Sequence, residues 1–170
     1  MTDPAPTRRE RTLVYKTITV PDNLRIACDQ MNSGQYFDCH ETLEEIWQEE
    51  QGPVRDLYKG LIQVAAAFVH VGRNNHFGAN RLLTTALGYL APYRGDGAMG
   101  FDVERICREA EAALATVDSL GKGRVDELDR GLAPYYDFDA AAVPGEAQRW
   151  GAWGFDRDGA PQEMEIAVIE

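Results

Sequence analysis

From Gly60 to Gly72 the chain reads GLIQVAAAFVHVG, a run whose only polar side chains are Gln63 and His70. A helix built from it is apolar nearly all round, and such a helix is stable only when other elements cover every side of it. The run is far short of the roughly 20 apolar residues that cross a bilayer, so it belongs at the centre of a folded domain, not in a membrane. The remaining sequence must supply its cover.

That cover is written at helical spacing. A first helix over about 22–33 takes Asp22 as N-cap and Gly34 as stop, and turns Leu24, Ala27, Cys28 and Met31 inward. A second, over about 36–50, carries Tyr36, His40, Leu43, Glu44 and Trp47 on one side. Gly52-Pro53 ends it and opens the central helix, about 53–73, with Pro53 in its first turn. A fourth helix over about 76–91 buries Ala79, Leu82, Leu83, Ala86, Leu87 and Leu90. A fifth over about 102–120 buries Val103, Ile106, Cys107, Ala110, Leu114 and Val117, after a glycine-rich loop at Gly95–Gly100. Residues 124–133 read as a short sixth helix, and beyond them Pro, Gly, Asp and aromatics predict an irregular tail. LVYKTITV near the start and MEIAVIE at the end can pair as a two-stranded ribbon. The opening MTDPAPTRRERT is polar and proline-bearing, reads as a disordered arm and lacks the pattern of a signal peptide.

The second and fourth helices align at an offset of 40: Phe37 with Phe77, Cys39 with Ala79, Leu43 with Leu83, Trp47 with Leu87. Each follows a turn rich in Gly or Asn. This is tetratricopeptide-like helix pairing, but two copies are too few for a solenoid. The predicted architecture is therefore all-α, a compact bundle of five to six helices. Its predicted organisation is an arm at 1–20, a helical domain at 21–133 and a tail at 134–170 packed on the same domain.

Charge narrows the partners. With 28 acids against 17 bases the net charge is -11, a surface that repels phosphate backbones and argues against nucleic acid. Only three bases are lysine, a balance like that of proteins kept soluble in concentrated salt. Cys28, Cys39 and Cys107 form no disulfide or metal-knuckle spacing, which fits a reducing, cytoplasmic setting. The glycines at 95, 97 and 100 have no preceding strand, so no phosphate cradle and no nucleotide cofactor is expected.

Chemistry concentrates on two helices. His40 and Glu44 lie at i and i+4, on one face and within chelating reach of a single ion, and Trp47 follows on that face. Asp56, Gln63 and His70 recur every seven residues along the central helix. Cys39 diverges from His40 around the helix, as does Glu41, about 100° away. If the two helices form an antiparallel hairpin, His40 and Glu44 can meet Gln63 or His70.

The spacing H-x-x-x-E-x-x-W, here His40, Glu44 and Trp47, resembles the hallmark of prokaryotic domain-of-unknown-function family 309. SGQYFDCHETLEEIW resembles its first signature, RDLYKGLIQVAAAFVH its second and NNHFGANRLL its third, together covering about 24–93. The resemblance implies an all-helical fold, marks His40, Glu44, Trp47, Gly60, Gln63 and His70, and implies metal binding by the motif. It does not extend past residue 120.

Three readings follow. In the first, His40, Glu44 and His70 hold a divalent metal with one open position, Asp56 and Gln63 orient the ligands, and Trp47 closes the pocket floor. A zincin comparison fails because position 44 is Glu, and the paired carboxylates of a di-iron bundle do not recur. In the second, the same residues are a buried hydrogen-bond network. In the third, the chain is a non-catalytic interaction module that binds a partner helix, a peptide or, as a homodimer, a second copy. Trp150 and Trp153 anchor the tail onto the bundle or onto a second subunit.

Overall fold

The computed structural model describes residues 12–169, so the arm expected at the start lies largely outside the described residues. The chain runs β1 (Leu13–Ile18), α1 (Val20–Asn32), α2 (Tyr36–Glu49), α3 (Arg55–Gly72), α4 (His76–Leu90), α5 (Val103–Leu120), α6 (Val143–Trp150) and β2 (Met164–Ile169). Helix α3 is the axis. Leu57, Leu61, Val64, Ala65, Phe68 and Val71 on it are wholly buried between α2 and α4, as its all-round apolar character demands. Gly60 lets α3 and α4 approach closely: a β-carbon there would stand 2.6 Å from the Leu90 Cγ. Among the described residues no helix is long and apolar enough to cross a membrane.

The 40-residue repeat is real in the backbone. Gly34 and Asn74 both take left-handed φ values, 81° and 54°. The turn bonds also coincide: Gln35 N donates to Gln30 O at 2.8 Å and Asn75 N to His70 O at 2.9 Å. Hairpins α1–α2 and α3–α4 are thus two copies of one unit, with α5 packed against the second.

Three boundaries depart from the sequence reading. Thr19, not Asp22, caps α1, its hydroxyl accepting from Asp22 N at 3.3 Å, because the helix starts two residues earlier on Val20-Pro21. Pro53 stands before α3 in a turn closed by Arg55 N to Gly52 O at 3.1 Å. Residues 124–133 form two short 3-10 turns, Val125–Glu127 and Arg130–Leu132, the second started by the Asp129 side chain on Gly131 N at 2.8 Å. The sixth helix lies instead inside the otherwise irregular tail, at Val143–Trp150, and ends on Gly151 at φ 61°.

The termini pair as an antiparallel ribbon, Leu13 opposite Ile169 through Ile18 opposite Met164. Ile18 and Ile166 face inward, and Lys16 reaches Glu45 of α2 at 2.6 Å, which ties the ribbon to the bundle.

Candidate functional site

Helix α2 sends Cys39, Leu43 and Ile46 into the core, which leaves His40, Glu44 and Trp47 on the adjoining, half-buried face. His40 Nε2 meets Glu44 Oε1 at 3.1 Å, with side chains 26% and 36% exposed. The pair is therefore at the surface and not inside a buried network. His40 Nδ1 has no hydrogen-bond partner among the described residues, and the exposed Phe37 ring lies 5.8 Å from the imidazole.

The other predicted members turn elsewhere. Gln63 accepts from the Thr85 hydroxyl of α4 at 2.6 Å. His70 Nδ1 accepts from Asn75 Nδ2 at 3.0 Å, inside its own hairpin turn. Asp56 is exposed in the first turn of α3. Helix register is the reason: the half-exposed stripe of α3 faces α4 at Gln63 and His70, one helix away from His40. The three-ligand set of His40, Glu44 and His70 is thus not assembled, and among the described residues no group of three or more His, Cys, Asp or Glu could hold a metal ion. Two donors remain, too few for the site envisaged, so this arrangement of side chains does not fit a resident metal. The thiols offer no substitute: Cys28, Cys39 and Cys107 are buried, and burial pushes Cys28 up to about 12 and Cys107 up to about 11.

What α3 does bring to Trp47 is positive charge. Arg55 Cζ lies 4.0 Å from the indole centroid and Lys59 Nζ 4.5 Å. The two cations are one helical turn apart, so both project onto the same ring. Among the described residues neither has a carboxylate within ion-pair distance, although the chain carries 28 acids. Arg55 Nε and Trp47 Nε1 are buried donors with no acceptor among those residues. The sequence signal lies in RDLYKG, where Arg and Lys recur at i and i+4. The family resemblance marks Gly60 in that segment and neither cation.

A second residue that sequence reasoning missed is Glu50, 1% exposed at the corner between α2 and α3. One carboxylate oxygen accepts from Gly52 N and the other from Trp153 N, each at 2.8 Å. Trp150 packs on Tyr93 with ring centroids 5.3 Å apart. Both tail tryptophans are thereby held by the bundle itself.

The fold and this face define a mostly helical protein with a His-Glu-Trp motif displayed on its second helix and cations of the third laid over the tryptophan. Residues 24–82 match the family described as "Domain of unknown function (DUF309)", so that stretch of the chain is similar to this family. The chain is 34% identical over 87 residues to "Uncharacterized protein YpuF" of Bacillus subtilis (strain 168), a match covering 50% of each. It spans about half the length of that curated relative. No solved structure matches it.

Proposed function

We propose that this protein is a helical interaction module whose recognition surface is the shared face of α2 and α3, built on His40, Glu44, Trp47, Arg55 and Lys59. One observation carries the reading: two cations lie against one tryptophan and leave donors without acceptors in a chain rich in acids. Each unanswered buried donor costs about 1–3 kcal/mol, and here two of them stand together beside two cations that lack a carboxylate among the described residues. Unanswered groups retained together mark a place where something else completes them. The half-exposed setting of His40 and Glu44 supports the same reading, because it leaves them within reach of a partner.

The test is the double variant Arg55→Gln/Lys59→Gln, melted beside the wild type. A recognition surface tolerates the change, with Tm equal or higher. A fall of about 8 °C or more, equivalent to roughly 3 kcal/mol in a chain of this size, would make the stack scaffold and end the proposal.

A further inference from the structure

The donors at Trp47 differ in kind from those of a metal site, and their chemistry names what they would accept. Arg55 Nε–H and Trp47 Nε1–H are both hydrogen-bond donors, and Lys59 adds an ammonium over the same ring. Glu44, one turn from Trp47 on α2, is held by His40 at 3.1 Å and does not answer them. We infer that the Trp47, Arg55 and Lys59 stack receives a carboxylate from an acidic peptide segment of a partner protein, an inference that rests on reading this face as a recognition surface.

Charge and shape favour a carboxylate over other anions. The guanidinium is a planar donor fork that matches a planar carboxylate. A carboxylate brings one negative charge, which two cations neutralise locally. A nucleic-acid backbone carries its charges in a long fixed row, and two cations on one ring answer only a pair of them. The arginine and lysine side chains laid against the indole ring are long and flexible, so they can rearrange around an incoming carboxylate.

The experiment uses the full chain labelled with nitrogen-15, following the indole N–H resonance of Trp47, assigned by its loss in Trp47→Phe. Hexaglutamate peptide and inorganic phosphate are titrated separately at matched ionic strength. The expected result is a saturable shift of the Trp47 resonance with hexaglutamate, with Trp150 and Trp153 unmoved. Lys59→Gln, its Trp150 and Trp153 resonances showing an intact fold, is expected to weaken that binding roughly tenfold. Saturation by phosphate in place of hexaglutamate, no shift with either, or a shift indifferent to Lys59→Gln would each overturn the carboxylate assignment. The melting of Arg55→Gln/Lys59→Gln separates the two claims. If that variant melts like the wild type while no anion binds, the surface reading stands and only its ligand class falls.

Discussion

The two helical hairpins share a backbone and differ in what their outer side chains are doing. In α3–α4 the turn is closed several times over. Asn75 accepts from Gly78 N at 3.0 Å, and Asn74 donates to Gly123 O at 2.9 Å. Asn80 reaches Asp118 of α5 at 2.6 Å. In α1–α2 the residue at the position of Asn75 is Gln35, which makes no cap bond, and the residue at the position of Asn80 is His40, whose Nδ1 is unanswered among the described residues. Trp47 stands where Leu87 stands and gathers two cations. The comparison teaches that the outer face of α4 has been finished by an asparagine cap and by α5, while the matching face of α2 presents His40 and Trp47 with ring nitrogens unanswered among the described residues.

The largest expected effect tests whether the two copies are equivalent inside. Leu43 and Leu83 occupy matching positions and are both wholly buried. Leu43→Ala and Leu83→Ala should each cost about 2–5 kcal/mol in denaturant unfolding, within about 1 kcal/mol of each other. A large disparity would break the likeness at the core. Next comes the corner between the hairpins: Glu50→Ala strips the acceptor from Gly52 N and Trp153 N and should cost about 2–3 kcal/mol, with proteolysis of the tail accelerated. If the tail stays protected, the anchoring lies elsewhere. The smallest effect sharpens the contrast at the turns. Asn75→Ala should cost about 1 kcal/mol and Gln35→Ala close to nothing, because only the first removes a cap.

How much of the molecule is legible in its sequence follows from range. The starts of α2 and α4 are legible because SGQ and RNN punctuate them locally, and the pairing of His40 with Glu44 follows from spacing on one helix. The partners of Gln63 and His70 depend on the register of α3 against α4, which spacing on a single helix does not contain. Helix α6 is hidden because VPGEAQRW holds both Pro and Gly, poor helix formers, and it stands by packing Trp150 on Tyr93. The Glu50 clasp joins residues 103 apart, so nothing near either end announces it.

The most direct measurement is a transplant of the second hairpin's side chains into the first. His40→Asn, Glu44→Thr and Trp47→Leu together install the residues found at positions 80, 84 and 87. Thermal melting of this triple variant should fall by less than about 5 °C, the loss of the exposed pair and the cation stack together amounting to roughly 1–2 kcal/mol. A fall beyond about 10 °C would show that these three side chains hold the bundle together, and would contradict their assignment to recognition.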